Sequence, residues 1–186
     1  MNRGRMKDMV RMLLAIDPVD AFVIDAEIND MLNESQVHVA TETLGLTTYK
    51  GLETQEGVER YSLPADFLAL RDVQMWVSVT DDTDKRTLEK CGYDSYEEKT
   101  RRYTTPGIPK FFKIEFGATS VSAAIPGDIW LRPIPDSNGG NNYRLRLAMY
   151  QKPDDMTDDT HICMLPESMH WCVCYHAAWV ISERSL

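Results

Sequence analysis

The chain is short of positive charge: 20 Lys and Arg face 29 Asp and Glu, which leaves a net charge of −9 and a pI near 4.9. A protein that grips phosphates needs a basic surface, so strong nonspecific DNA binding is disfavoured, although acidity does not forbid standing beside DNA without adhering to it. Long hydrophobic runs are also missing. The most apolar stretch, Trp171 to Ile181, is about half of what a bilayer requires. Arg3, Arg5, Lys7, Asp8 and Arg11 break up the first residues, so no secretory signal is expected there. Cysteine is sparse: the 4 residues at 91, 163, 172 and 174 have no framework spacing, and free thiols in a reducing cytosol are the simplest reading. The sequence has no phosphate loop, dinucleotide fingerprint, His-Glu-x-x-His or Gly-x-Ser-x-Gly, and no internal repeat.

What is present suits a folded protein. A length of 186 residues, 43% hydrophobic and 26% charged, fits a single domain with a real core. The patterning predicts an α+β fold over residues 1–186. Residues 1–45 are helical, 46–153 are mainly β with a polar excursion at 80–105, and 165–186 form a C-terminal helix. A short basic helix is expected near residues 5–15. Asp17-Pro18 offers a cap and a tolerated first position for a long helix to about Leu44, ended by Gly45. Its apolar face comprises Ile24, Ile28, Met31, Leu32, Ser35 and Val39. At ~1.5 Å per residue this would be a rod near 40 Å.

Period-two alternation marks strands at Val73–Val79, Phe112–Phe116, Ile129–Leu131 and Tyr143–Met149. Pro135 to Asn141 is turn chemistry and predicts a hairpin joining the last two. Crossovers long enough for parallel pairing are scarce, so an antiparallel sheet or small sandwich is expected. Asp94 to Arg102 reads as a short helix inside the polar excursion. The closing helix, from Pro166 to about Ser182, is apolar on every side. Such a helix must be central in its own domain or be covered by a neighbour.

Candidate chemistry is thin. His161, Cys163, His170, Cys172, Cys174 and His176 suggest zinc on paper. On a helix, however, residues two apart point about 200° apart, so Cys172 and Cys174 cannot share one ion, and a structural zinc wants four ligands. Buried thiols and half-buried imidazoles are the plainer reading. Asp81-Asp82-Thr83-Asp84 and Asp154-Asp155 with Asp158-Asp159 lack the glycine and distal glutamate of a calcium loop. Asn33-Glu34-Ser35 matches a glycosylation triplet but lies inside a predicted helix. No cofactor, metal or catalytic residue is assigned, and no enzymatic activity is expected.

Six stretches in order resemble the tailed-phage head-to-tail adaptor (connector) family. They are Ile28-Asn29-Asp30-Met31-Leu32-Asn33-Glu34-Ser35-Gln36 in the early helix, Tyr61-Ser62-Leu63-Pro64-Ala65-Asp66 at the entry strand, Gly107-Ile108-Pro109-Lys110-Phe111-Phe112, Leu131-Arg132-Pro133-Ile134-Pro135, Tyr150-Gln151-Lys152-Pro153 at the exit strand, and Leu165-Pro166-Glu167 before the final helix. The resemblance implies a virion protein, assembled in the host bacterial cytoplasm, that stacks as a ring of twelve copies between the portal and the next tail component. It implies double-stranded DNA passing through the lumen without specific binding, and no membrane. A tail-completion or head-closure protein is the alternative virion role, and a thiol- or metal-dependent enzyme a remoter one. Aromatic and arginine side chains anchor most interfaces. The candidate contacts are therefore Trp76, Trp130, Trp171, Trp179, Arg101 and Arg102, with Asn138 and Asn142 at the expected hairpin tip. For the tryptophans, ordinary core burial is the competing reading.

Overall fold

The computed structural model describes residues 1–15, 24–77, 83–116, 127–136 and 142–184. In chain order the elements are α1 (Arg3–Leu14), α2 (Asp25–Thr43), β1 (Thr47–Glu53), β2 (Arg60–Ser62), β3 (Phe67–Trp76), β4 (Lys85–Thr87), β5 (Glu89–Lys90), α3 (Tyr93–Arg102), β6 (Phe111–Glu115), β7 (Asp128–Arg132), β8 (Arg144–Gln151) and α4 (His170–Arg184). A 3-10 turn at Glu167–Met169 leads into α4. Helices and two sheets make the fold α+β. The chain divides into two compact units, Met1–Leu46 with Gln151–Leu186, and Thr47–Tyr150.

The first unit is helical. Asn2 caps α1 by accepting the Arg5 N–H at 3.0 Å, and Met6, Met9 and Val10 form its buried stripe. α2 buries Ile28, Met31, Leu32, Ser35, Gln36, Val39 and Ala40, a helical period. It is shorter than the expected rod: 19 residues, with Ile24 in extended backbone and exposed. The anticipated start at Asp17-Pro18 lies outside the described residues. Leu44, in the left-handed conformation, ends the helix one residue before Gly45. Two α2 amides clamp the returning chain. Gln36 Nε2 donates to the Asp154 carbonyl at 2.9 Å and its Oε1 accepts the Met164 N–H at 3.3 Å. Asn33 Oδ1 accepts the Met156 N–H at 2.8 Å. The glycosylation triplet is thus a structural amide in a helix.

The acidic run beyond β8 is also used locally. Asp159 meets Lys7 at 2.8 Å and Arg3 at 3.1 Å, and these cations hold its carboxyl below the usual range. Asp158 caps a turn through the Thr160 hydroxyl and the Thr160 and His161 N–H groups, which lower it likewise.

The second unit is two four-stranded sheets, ordered β1-β8-β3-β4 and β2-β7-β6-β5. Leu63, Val73, Met75, Leu88, Phe112, Ile129, Leu131, Tyr143, Leu145 and Leu147 form one core drawn from both. The alternate residues of each strand supply it, as a pleated strand dictates.

Two expectations are corrected here. β7 and β8 do not form a hairpin, because they lie in different sheets. Pro133 and Pro135 have no N–H to continue a ladder after β7, so the chain leaves that sheet. Nor is every pair antiparallel: β5 runs parallel to β6, with Glu89 opposite Phe111. The crossover that parallel pairing demands is α3 itself. The supposed polar excursion is therefore built into the fold, β4 on β3 and β5 on β6. α3 is anchored by Tyr96, whose buried hydroxyl lies 3.1 Å from both the Leu131 carbonyl and Glu59 Oε1, while Arg132 holds the same Glu59 oxygen at 2.7 Å. Burial and the Glu59 charge push the Tyr96 hydroxyl far above its usual range.

Candidate interaction surface

α4 solves its all-round apolarity by halves. Val173, Cys174, Ala177, Ala178 and Ile181 are buried, and the helix packs against α1 and α2. The opposite side carries Trp171, Tyr175 and Trp179, which are 45%, 56% and 57% exposed. Spaced four apart, they form one stripe. Trp171 and Tyr175 rings lie 5.9 Å apart, and Trp179 lies 5.7 Å from His176, which stacks on His38 at 4.2 Å. Burial and the neighbouring His38 lower the basicity of His176. The structure thus brings Trp171 and Trp179 together and adds Tyr175, which the sequence reading omitted although it sits midway between them.

The remaining candidates are dispersed over the sheet unit. Arg101 and Arg102 are exposed at the end of α3. Arg102 borders a small hollow of about 110 Å³ with Glu98, Lys99, Tyr103 and Phe111, where Lys99 Nζ lies 3.3 Å from the Phe111 ring centre. Trp130 is half-buried under two cations, Lys113 Nζ at 4.6 Å and the Arg60 guanidinium at 5.4 Å. Its Nε1 has no hydrogen-bond partner among the described residues. Asn142 is exposed, and Asn138 lies outside the described residues.

Trp76 opens onto a larger hollow of about 800 Å³, lined by Tyr49, Glu53, Lys85, Arg144 and Arg146 among others. The sequence reading missed this cluster. Its signal was there: Arg144 and Arg146 alternate with the core residues Leu145 and Leu147, so both must face out of the sheet.

Nothing among the described residues assembles a reaction centre. Among the described residues, no three His, Cys, Asp or Glu side chains gather to hold a metal ion. Cys172 is exposed and Cys174 buried, as opposite sides of a helix require. Burial raises the Cys163 thiol and pushes that of Cys174 up to about 12, so neither is a ready nucleophile. His170 is spent on structure: its Nε2–H donates to the Leu165 carbonyl at 2.8 Å and Nδ1 accepts from the Met1 amino group at 2.7 Å. His176 Nδ1 lies 2.9 Å from Ser35 Oγ, but Ser35 is buried beneath α4 and out of reach of a substrate.

The aromatic stripe on α4 and the charged hollow beside Trp76 are thus two broad outer surfaces on which candidate contacts lie. No curated protein sequence matches the chain. The model of the SU10 adaptor protein family matches residues 1–184, nearly its whole length, and the protein belongs to that family of phage head-to-tail adaptors, structural components of the virion.

Proposed function

We propose that this adaptor forms a closed ring between the portal and the tail, extending the channel through which DNA leaves the head. Copies meet head to tail, a heterologous interface that closes when the rotation between neighbours divides a full turn. The two outer helices, α2 and α4, with the sheets inserted between them in sequence, serve as one adaptor domain. α3 and the segment at Asn142 reach neighbouring proteins, and no enzymatic step is involved. The observation that carries this reading is the Trp171-Tyr175-Trp179 stripe, an aromatic surface left uncovered on a helix whose other side is fully packed. The net charge of −9, multiplied around a ring, favours a lumen that repels the DNA backbone and lets it slide.

The test is binding of purified protein to purified portal and, separately, to purified tail tube, followed by imaging of any complex. A multimeric collar on the portal is the expected result. Binding to tail tube alone would indicate a tail-completion role, and a single copy bound per particle would refute the ring.

A further inference from the structure

The hollow on the outer face of the first sheet is the chain's least explained surface. Lys85, Arg144 and Arg146 converge there, and none makes an ion pair among the described residues. In a chain with nine more acids than bases, three cations around one concavity with a single acid among its described lining residues amount to a local reversal of charge. Among the described residues that line it, Glu53, cross-strand from Arg144, is the only acid. The occupant should therefore be anionic.

Two anion classes compete. Single-stranded nucleic acid needs free aromatic faces for base stacking. Here each ring already carries a cation against one face, Tyr49 the Arg146 guanidinium at 3.8 Å and Trp76 Lys85 Nζ at 5.7 Å, so a base would have to displace it or stack on the other side. The polyanionic backbone would also meet the repulsion of the whole chain. A carboxylate-bearing protein surface meets neither objection.

Such a surface exists on the helical unit. Asp30 and Glu34 lie one turn apart on the exposed side of α2, where α2 forms one edge of a shallow hollow of about 490 Å³ that Asp155 also lines. The neighbouring cations, Lys152 and the Arg184 guanidinium 3.5 Å from Glu34, leave this ridge net acidic. We propose that the cationic hollow of one copy seats the Asp30–Glu34 ridge of the next copy, an inference that rests on the ring reading and gives it a residue-level contact. One surface on each unit supplies the two unlike faces that a head-to-tail ring needs.

The experiment is charge exchange in a phage whose own adaptor gene is deleted and replaced by plasmid-borne variants. Arg144→Glu with Arg146→Glu gives a chain whose hollow and ridge are both acidic. Asp30→Lys with Glu34→Lys gives one in which both are basic. Each alone is expected to lower plaque counts by about a hundredfold or more, while keeping a wild-type melting profile. Co-expressing the two lets acidic and basic chains alternate around a ring, and is expected to restore plaques to within about tenfold of wild type. The four-substitution chain, complementary to itself, should do the same.

Full growth of either two-substitution variant, or failure of both rescues with folded proteins, overturns the proposal. So does loss of binding to a labelled single-stranded or duplex DNA in the Arg144/Arg146 variant with no rescue by mixing, since nucleic acid would then be the occupant. Imaging wild-type particles separates the two levels. A closed ring with failed rescue removes this contact alone, whereas the absence of a ring removes both readings.

Discussion

Replacing Tyr96 by Phe deletes one buried oxygen and leaves the ring in place. In the native fold that hydroxyl lies against the Leu131 carbonyl and a Glu59 carboxylate, which Arg132 also grips. Losing a hydrogen bond with a charged acceptor costs ~1.5–3 kcal/mol, so Y96F should unfold at lower urea with an unchanged m-value at pH 7. The sign then changes with pH. Burial raises the folded pKa of Tyr96 above its unfolded value of 10.0. The hydroxyl's contribution is therefore fully present below pH ~10 and is lost as pH rises beyond it, because only the unfolded chain can ionise. One such group loses ~1.4 kcal/mol by pH ~11 and ~2 kcal/mol by pH ~11.5. The gap between wild type and Y96F should thus narrow by these amounts, closing near pH ~11 for a hydroxyl worth ~1.5 kcal/mol and shrinking to ~1 kcal/mol by pH ~11.5 for one worth ~3 kcal/mol. Effects of other alkaline groups cancel in the difference. Urea melts of both proteins between pH 7 and 11.5 measure it. A gap that stays constant across that range would mean that the native hydroxyl ionises freely and that α3 is not anchored as described.

Other perturbations probe other links. Gln36→Ala removes the side chain that satisfies both the Asp154 carbonyl and the Met164 N–H, and should cost ~2–3 kcal/mol while raising amide exchange selectively across residues 154–164. A Cβ on Gly127 would stand 2.7 Å from the Glu115 carbonyl oxygen and 2.9 Å from the Phe116 ring, so Gly127→Ala should lower stability by ~1–3 kcal/mol in a thermal melt. Trp171→Ala combined with Trp179→Ala removes half-exposed rings, so the isolated protein should melt close to wild type while portal-dependent assembly fails; unchanged assembly would remove the stripe from the interface.

The parts of the fold that were legible in sequence are those where one periodic signal acts alone. α3 and α4 sit where composition put them, and β3, β6, β7 and β8 follow their alternating apolar residues. β1 was illegible: as an edge strand carrying Lys50 and Gly51, its residues are no more than half-buried, so little hydrophobic alternation marks it. Sheet membership was not legible either. The linker after β7 has every mark of a hairpin turn, and only the packing of Leu131 and Leu145 into one shared core, from opposite sheets, shows that the strands face rather than flank each other. Phe116, expected in a strand core, lies exposed just past the end of β6. Among candidate contacts, the sequence singled out the tryptophans by type. It could not indicate that two share a helix stripe with Tyr175 while a third lies among cations drawn from β4 and β8, because that grouping is set by tertiary pairing.

The α4 stripe also bears on when copies associate. Trp171, Tyr175 and Trp179 are each about half exposed. Taking ~150–250 Å² per aromatic side chain, the open area is roughly 300 Å². At ~25 cal/mol per Å² its complete burial is worth about 7 kcal/mol. Bringing two free proteins together costs ~4–15 kcal/mol in lost motion before any contact is counted. The stripe alone therefore falls short of holding two free copies at micromolar concentration. A platform that already fixes each copy's position removes most of that cost, and the same contact then becomes sufficient. On the ring reading, the isolated adaptor should sediment as a monomer at tens of micromolar and form its collar only when portal is added. A stable ring of adaptor alone at sub-micromolar concentration would show that a much larger surface than the aromatic stripe carries the assembly.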